Sequence, residues 1–480
     1  MYKNVTNFSY FSFCNKIKKG NEGKLVKKPY YFIAVGGIGM SGLAKYLLEA
    51  GETVLGSDIQ NSKYTKKLEE MGAKIFIGHD EKNLPQDATV VVSTAIKEDN
   101  PELKKAKELG LKIYHRSDLL AEISNGQKEC FIGFSGTHGK TTTSGLASYV
   151  LSKSNLHPSF VVGGIVPELN TNALSDGEKY FVAELDESDG TILKYTPEIC
   201  VVNNLETDHT DFYTNGLESL LNTFETFLNN LKPNAKVLIN DDNAGNKELM
   251  KRYKNVITFG LSDANYVAKN IKYGEFTTFD IYKNGEFLTD LKLCVSGEHN
   301  VYNSLGVLAA LSEAGEDLEK VKPHFATFTG MGRRLQKSAQ LDDITVYDDY
   351  AHHPTEIKAT LSTLKLMGYK NIVAVFQPHR YSRLQALWNE FLHAFDDADK
   401  VYVTDIYAAS EKPIDGVKAE NFAQELLTFV PCEHLGGKID EVASQLLPKL
   451  EKDCVIVGLG AGTITTLGKD LLNAKNGVAV

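Results

Sequence analysis

The feature that most constrains this chain is a glycine-rich segment at residues 136–142, which lies between a strand pattern and a helix pattern. The apolar run at 130–134 predicts a buried strand before it, and Leu146 and Val150 predict the inner face of a helix after it. A turn of this kind exposes backbone N–H groups and the positive end of a helix dipole, and both attract phosphate. The segment therefore predicts a nucleotide-phosphate loop.

Two side chains of the segment strengthen this prediction. Lys140 supplies a charge for the outer phosphates of ATP or GTP, and Thr141 supplies a hydroxyl for Mg²⁺. The common form of the motif has glycine where this chain has Phe134. The alternative interpretation is a glycine-rich connection with a surface lysine, but the order of strand, turn and helix favours the phosphate loop.

Length and composition limit the class of protein. A chain of 480 residues predicts about three domains, and 42% hydrophobic residues can form several cores. The net charge of −10 argues against binding to nucleic acid or to a membrane surface. Six scattered cysteines without a C-x-x-C pair indicate reduced thiols, and no apolar run approaches the length of a membrane span. We expect a cytoplasmic monomer or homodimer without membrane insertion.

The chain divides into three regions in which short apolar runs alternate with helical patterns, which predicts α/β domains with parallel sheets. We expect a flexible extension at 1–29 and domains at 30–127, 128–328 and 329–480. A β-rich stretch is predicted near 256–295, and Leu387, Phe391 and Phe395 predict one face of a helix in the third region.

The first region opens with a glycine-rich turn at 36–42, after a strand that ends near Val35. Ala34 takes the place of the first glycine of a dinucleotide-binding turn, and Asp58 follows the second strand where a ribose-binding carboxylate would lie. This pattern suits NAD(H) and suits the diphosphate of a UDP-sugar equally well. A tight turn that only packs a helix on a strand is the structural alternative.

Carboxylates follow a strand of the second region. Glu184 ends that strand, and we predict that it holds Mg²⁺ beside the phosphate loop. Asp186, Glu187 and Asp189 follow, and for these we expect a solvated acidic loop. His209 lies after the next strand at the same sheet edge, where its spacing fits a hydrogen-bonded loop histidine as well as a metal contact.

Further polar clusters lie at helix starts and strand ends. Residues 297–300 precede the last helix of the second region, and Arg333 and Arg334 follow at the junction with the third. The third region carries two His- and Arg-containing segments at 347–354 and 377–383, just past predicted strands. Arg380 and Arg383 are spaced to form a fork for a carboxylate or an acyl phosphate.

Together these segments resemble the Mur ligase family, whose members form amide bonds in peptidoglycan synthesis. The resemblance covers nearly the whole chain after residue 29, and the order of the motifs makes it specific. It is closest to the member that adds the first amino acid. The resemblance implies a Rossmann-like UDP-binding domain, a central P-loop ATPase-like domain and a C-terminal Rossmann-like domain. It also implies ATP and Mg²⁺ as cofactors, UDP-N-acetylmuramate and L-alanine as substrates, and an acyl-phosphate intermediate.

The resemblance assigns roles to matching positions. The implied UDP-sugar contacts are Gly36, Gly37, Ile38, Gly39, Met40, Ser57 and Asp58. The implied ATP contacts are Gly136, Thr137, His138, Gly139, Lys140, Thr141, Thr142, His299, Asn300 and Arg334. The implied metal contacts are Thr141, Glu184 and His209. The implied catalytic residues are Lys140, His352, Arg380 and Arg383, and the implied amino-acid contacts are Tyr350, His352 and Arg383.

The chain departs from the family pattern at Ala34, Ala351 and Thr463, which affects the expected local geometry but removes no reacting group. Three alternatives stay open. A sister ligase would attach a preformed peptide to the same sugar, a nicotinamide oxidoreductase would use the first region alone, and a nucleotide sensor would need no Arg/His set in the third region.

Overall fold

The structure is a computed structural model that describes residues 28–126, 128–208, 212–274, 276–409 and 411–477. Three separate β-sheets, of five, ten and six strands, organise these residues into three α/β domains. The predicted α/β class with parallel sheets is confirmed. Most of the predicted extension and His209 lie outside the described residues. Within the described part, no helix is both long enough and apolar enough to cross a lipid bilayer.

The first domain is a five-stranded parallel sheet in the order β3-β2-β1-β4-β5. Its elements are β1 Tyr30–Ile33, α1 Ile38–Glu49, β2 Val54–Asp58, α2 Lys63–Glu70, β3 Lys74–Ile77, β4 Thr89–Val92, α3 Pro101–Glu108, β5 Lys112–His115 and α4 Arg116–Ser124. The strand order reverses direction between β1 and β4, and the carboxyl ends of strands at such a point commonly bind ligands. The glycine-rich turn joins β1 to α1 at this edge.

The central domain has a ten-stranded sheet in the order β15-β14-β13-β12-β11-β10-β6-β9-β7-β8. Its strands are β6 Cys130–Ser135, β7 Ser159–Val166, β8 Thr171–Leu174, β9 Tyr180–Glu184, β10 Ile199–Val202, β11 Lys236–Asn240, β12 Ile257–Gly260, β13 Tyr266–Lys272, β14 Thr277–Lys283 and β15 Glu286–Leu293. Its helices are α5 Lys140–Lys153, α6 Leu217–Asn229, α7 Ala244–Arg252, α8 Glu298–Glu313 and α9 Leu318–Val321. Because β6 pairs in parallel with both β9 and β10, the segments that follow these three strands meet at one edge.

The C-terminal domain has six strands in the order β16-β17-β21-β18-β19-β20, and only the β16–β17 pair is antiparallel. Its strands are β16 Gln336–Leu341, β17 Ile344–Asp349, β18 Asn371–Phe376, β19 Lys400–Thr404, β20 Cys432–Leu435 and β21 Cys454–Leu459. Its helices are α10 Pro354–Leu366, α11 Tyr381–Ala386, α12 Trp388–Leu392, α13 Ala419–Leu426, α14 Ile439–Leu446 and α15 Leu467–Lys475.

Local sequence patterns predicted most helices and strands but did not predict one interruption of a helix. The expected β-rich stretch near 256–295 is confirmed as β12 to β15. The single helix expected through Leu387, Phe391 and Phe395 is wrong, because the helix is interrupted at Leu387 and α12 ends at Leu392. Phe391 and Phe395 are nevertheless buried against Phe376, so the core contacts hold without a continuous helix.

Candidate active site at the meeting of three domains

The phosphate loop lies between the end of β6 and the start of α5, as predicted. Gly136 and Gly139 have φ angles of 120° and 83°, in the region that favours glycine. A Cβ at Gly136 would also come within 2.9 Å of the backbone nitrogen of Asn204, so the loop packs directly on the chain that follows β10. Asn204 fixes it further, because its Oδ1 accepts a hydrogen bond from the His138 N–H at 2.8 Å. The loop is therefore held in shape by the backbone and the side chain of Asn204.

The Lys140 side chain is folded back onto its own loop. Its ammonium donates to the carbonyl oxygens of Gly136 and Thr137 and lies 2.9 Å from Oε1 of Glu187. Burial opposes its charged form, but the carboxylates of Glu187 and Asp186 outweigh burial and raise the pKa of Lys140. The ammonium group therefore lies beside the position that the outer phosphates of a nucleotide would take.

The acidic loop after β9 differs from the expected solvated loop. Glu187 is fully buried, and burial raises its pKa to about 7. Asp186 forms an ion pair of 2.8 Å with Arg116 of the first domain. Burial works against ionised Asp186, but Lys140 and Arg116 lower its pKa to about 2. The expectation of a solvated loop is wrong for Glu187, which is fully buried with the phosphate-loop lysine as its counter-ion. Asp186 and Asp189 are partly exposed, and Asp186 is in addition paired with a first-domain arginine.

Thr141 and Glu184, both predicted metal contacts, are adjacent. The Thr141 hydroxyl donates to Oε2 of Glu184 at 2.9 Å, and the N–H of Gly163 donates to the same oxygen at 3.0 Å. A hydroxyl and a carboxylate are oxygen ligands of the type that Mg²⁺ prefers. The third predicted contact, His209, lies outside the described residues.

The glycine turn of the first domain is built largely from its own contacts. Ala34 has a φ angle of 62°, so the chain keeps a glycine-like conformation at the position where it lacks glycine. The N–H of Gly36 donates to Oδ2 of Asp58 at 2.8 Å, which commits one oxygen of the predicted ribose carboxylate to the turn.

Two side chains predicted to contact the UDP-sugar point elsewhere. Ser57 is fully buried, and its hydroxyl hydrogen-bonds to Glu102 and lies 2.9 Å from Nδ1 of His79. Met40 is buried in the hydrophobic core of the first domain. Both predictions are therefore wrong as far as the side chains are concerned. Motif spacing places a residue next to a turn, but it does not show whether packing turns the side chain into the core.

A cleft of about 1260 Å³ joins the three domains. The first domain contributes Ile38 and Ser41 from the start of α1, together with lysines of α1 and α2. The central domain contributes the phosphate loop and Glu184, and the C-terminal domain contributes Tyr350 and His352. The cleft therefore connects the predicted sugar, phosphate and amino-acid regions in one space.

A second cavity continues from the other side of the phosphate loop. Three predicted ATP contacts, His299, Asn300 and Arg334, line it beside Gly139 and Thr142. Burial and the nearby Arg334 lower the pKa of His299 to about 4, so its ring is neutral near pH 7. A neutral ring can both donate and accept hydrogen bonds.

Several asparagines that we did not assign from the sequence shape this cavity. Asn203 donates to the Thr143 hydroxyl at 2.9 Å, and a Cβ at Gly139 would approach Oδ1 of Asn303 to 2.7 Å. Asn240 also lines the cavity. Asn203 follows β10 and Asn240 ends β11, so both carried the same sequence signal as Glu184, but amides at strand ends also fit ordinary turns. Asn303 lies within α8, where no strand end pointed to it.

Of the predicted C-terminal residues, Tyr350 and His352 line the cleft, and Arg380 and Arg383 do not. Tyr350 lies under the two junction guanidinium groups, with its ring centroid 4.9 Å from Cζ of Arg333 and 5.3 Å from Cζ of Arg334. Nδ1 of His352 lies 2.9 Å from the carbonyl oxygen of Tyr350, so Nδ1 carries the proton and Nε2 is left as an acceptor. Burial lowers the pKa of His352 to about 4, which keeps this imidazole neutral.

Arg380 and Arg383 do not form a simple parallel fork. One amino group of Arg383 contacts Nδ1 of His379 at 3.3 Å, and the other lies 3.9 Å from Oδ1 of Asp208 in the central domain. Arg380 adopts a φ angle of 70° at the start of α11, and its buried Nε has no hydrogen-bond partner among the described residues. The His379 ring is 5.8 Å from the His352 ring, which links this arginine pair to the cleft.

His138, Glu206 and His353 bring possible metal-ligating atoms within 4.8 Å of one another, and of the three only His353 is buried. Nδ1 of His353 accepts a hydrogen bond from the Thr355 N–H at 3.3 Å, so Nε2 carries the proton of the neutral ring. A ring nitrogen that carries a proton does not bind a metal ion. Nε2 of His138 and Nε2 of His353 have no hydrogen-bond partner among the described residues.

Three family models match the chain in order. The model of the Mur ligase family catalytic domain matches residues 29–128, the Mur ligase middle domain matches 134–311, and the Mur ligase glutamate ligase domain matches 333–462. The matches follow the succession of the three sheets.

Relatives of known name are similar over nearly their whole length. The UDP-N-acetylmuramate–L-alanine ligase of Carboxydothermus hydrogenoformans is 40% identical over 446 residues, which span 92% of this chain and 96% of the relative. The enzyme of the same name from Geotalea uraniireducens is 37% identical over 470 residues, which span 95% and 99%. The crystal structure of the corresponding ligase from Thermotoga maritima aligns with a TM-score of 0.80 and 28% identity over 94% of this chain and 100% of that chain. The chain belongs to the Mur ligase family.

Proposed function

We propose that this chain joins L-alanine to the lactyl carboxylate of UDP-N-acetylmuramate with hydrolysis of ATP to ADP and phosphate, in peptidoglycan precursor synthesis. The named relatives support this activity. In the structure, the main support for this activity is the cleft that connects the phosphate loop, the start of α1 after the first-domain turn, and the pair Tyr350–His352. The same proposal places the domain limits at 30–127, 128–328 and 329–480.

The chemistry requires activation, because a carboxylate oxygen is a poor leaving group for attack by an amine. The lactyl carboxylate attacks the γ-phosphorus of ATP, the bond to the β,γ-bridging oxygen breaks, and ADP leaves with that electron pair. Lys140 moves from its resting contacts to the phosphates and reduces the repulsion between the two anions. Bound Mg²⁺ would neutralise phosphate charge, and Thr141 and Glu184 are the described residues that would hold it.

In the second step the amine of alanine attacks the acyl carbon and phosphate leaves. The amine must first lose a proton from its ammonium form. His352 has the required state for assisting this loss, because its ring is neutral and Nε2 is the free acceptor. Arg383, with Arg380, would hold the carboxylate of alanine by charge-assisted hydrogen bonds. Closure of the domains would exclude water, which otherwise hydrolyses the acyl phosphate.

The test is a coupled assay for ADP with ATP, Mg²⁺, UDP-N-acetylmuramate and single amino acids. We expect ADP release that requires both the sugar nucleotide and L-alanine, with the amide product detected by mass spectrometry. Turnover only with a tripeptide would instead indicate the sister ligase. Reduction of a nicotinamide cofactor, or nucleotide binding without turnover, would support the other two alternatives.

A further inference from the structure

The carboxylate of Glu356, in the first turn of α10, lies at the wall between the nucleotide cavity and the three-domain cleft, and it lines both. Its Oε1 faces Nδ1 of His138 at 3.5 Å and the guanidinium of Arg334 at 3.4 Å. Its Oε2 accepts the N–H of His352 at 3.0 Å and lies 3.2 Å from Nδ1 of the same residue. One buried carboxylate thus contacts the phosphate loop, the interdomain junction and the amino-acid side of the cleft.

We propose that Glu356 is a positioning residue that couples the phosphate loop to the amino-acid side of the site, because its carboxylate holds His138, Arg334 and His352 in one array across the domain boundary. The inference rests on the proposed function and deepens it. Glu356 acts through other residues and touches no reacting atom in this arrangement.

The contacts with His352 fix the state of its ring. An acceptor at Nδ1 keeps the proton on that nitrogen and leaves Nε2 free, which is how a carboxylate orients a catalytic histidine in general. Glu356 and the carbonyl oxygen of Tyr350 both lie within 3.2 Å of this Nδ1. Loss of the Glu356 acceptor leaves the His352 ring less firmly oriented and reduces the preference for the tautomer with the proton on Nδ1.

The contacts with His138 and Arg334 reach two other segments of the chain. His138 belongs to the phosphate loop of the central domain, and Arg334 lies between the last helix of that domain and β16. The Glu356 carboxylate can contact both His138 and Arg334 only when the C-terminal domain packs against the central domain. Closure of the domains therefore also sets the position of the phosphate loop and of the junction arginine.

The charges around Glu356 support an ionised, shared carboxylate. Burial favours its neutral form, but His352, His138 and Arg334 outweigh burial and hold the pKa of Glu356 well below its usual range. The same carboxylate, followed by Glu206 and Asp208, raises the pKa of His138 against the effect of burial. Further titratable groups face this cluster. Asp349 and His353 lie on the same segment, Arg383 and His379 face His352, and Glu184 and His299 face Arg334.

A purely structural role is the competing explanation, because Glu356 also takes part in a capping box at the start of α10 and accepts the N–H of His353 at 3.3 Å. Glutamine fills this capping position as well as glutamate does. The variant Glu356→Gln therefore keeps the cap and the shape of the side chain and removes the charge. Glu441→Gln is the matched control, because Glu441 takes the same capping-box position at the start of α14 and lines neither cavity.

The experiment compares full-length wild type, Glu356→Gln and Glu441→Gln in the ATP, UDP-N-acetylmuramate and L-alanine assay. For Glu356→Gln we expect kcat to fall by about 100-fold, the scale of a misplaced reacting group, while KM for the sugar nucleotide changes by less than about threefold. For Glu441→Gln we expect kcat to change by less than about twofold, as for an exposed charge outside the site. A second readout is the pKa of His138 from NMR titration, which should fall in Glu356→Gln and stay unchanged in Glu441→Gln.

The outcomes separate the two proposals. Absence of alanine-dependent ADP release in the wild type would overturn the proposed function itself. An active wild type with Glu356→Gln of equal kcat, or with an unchanged pKa of His138, would overturn the positioning role alone. If Glu356→Gln fails to fold, Glu356→Asp supplies the test: it keeps the charge but shortens the reach, so a kcat equal to that of the wild type would overturn the array.

Discussion

The Lys140 ammonium lies 2.9 Å from the Glu187 carboxylate, and this contact connects the phosphate loop to the segment after β9. The Glu187 side chain is fully buried, and that of Lys140 is 11% exposed. Lys140 also contacts two carbonyl groups of its own loop. In the proposed mechanism, phosphate oxygens replace these contacts when the nucleotide binds. Burial raises the pKa of Glu187 to about 7.

The first prediction concerns Lys140 itself. Lys140→Ala should abolish amide formation, with a loss of at least about 1000-fold in kcat, because the charge that stabilises the transferring phosphoryl group is gone. Binding of UDP-N-acetylmuramate, measured by calorimetry, should change by less than about twofold because the proposed site for this substrate lies in the first domain. The variant Lys140→Ala with Glu187→Gln serves as the folding control, since it removes the buried negative charge together with the lysine that faces it. Loss of sugar binding in the well-folded double variant would contradict the domain assignment.

The second prediction concerns the pH dependence of stability. Burial raises the pKa of folded Glu187 to about 7, whereas an unfolded glutamate ionises near about 4.3. Between these two pH values the folded protein binds more protons than the unfolded protein does. The free energy of unfolding therefore falls as pH rises through this window, and above the window this contribution no longer changes with pH. Urea unfolding near pH 5 and near pH 8 should show a decrease on the order of 1–3 kcal/mol that Glu187→Gln lacks. An identical pH dependence in both proteins would exclude this contribution.

The third prediction concerns the metal contacts. Glu184→Gln keeps a side-chain oxygen near the Thr141 hydroxyl but removes the charge that would hold Mg²⁺. The Mg²⁺ concentration for half-maximal activity should rise by about tenfold or more, with kcat partly restored at high Mg²⁺. Gln336→Glu is a useful control, because it adds a carboxylate to the wall of the same cleft without replacing a predicted ligand. An unchanged Mg²⁺ requirement in Glu184→Gln would remove Glu184 from the metal site.

The fourth prediction concerns recognition of the amino acid. Arg383→Lys keeps the charge but loses the planar group that contacts His379 and reaches toward Asp208. KM for L-alanine should rise by about tenfold or more, while the dissociation constant for ATP stays within about twofold. Steady-state kinetics with varied alanine and separate nucleotide-binding measurements distinguish the two effects. A rise in both constants would place Arg383 in the nucleotide site instead.

Local sequence patterns predicted the parts of the site that depend on one strand and the turn after it. The phosphate loop and the pairing of Thr141 with Glu184 follow from motifs at neighbouring strand ends. The inward direction of Ser57 could not be predicted, because its partner Glu102 lies 45 residues away on another element. The counter-ion of Asp186 likewise comes from a different domain, so only the tertiary structure shows this ion pair.

The fifth prediction tests the packing that joins the central domain to the junction. A Cβ at Gly145, on α5, would overlap Sδ of Met331, which is buried just before the junction arginines. Gly145→Ala should therefore destabilise the protein by about 1–3 kcal/mol through overpacking, although alanine is the better helix former by about 0.5–1 kcal/mol. Shortening the partner in Met331→Ala removes the overlap, so the double variant should be more stable than the sum of the two single effects predicts. Thermal unfolding of all four proteins measures this coupling, and strictly additive effects would mean that α5 and the junction do not pack as observed.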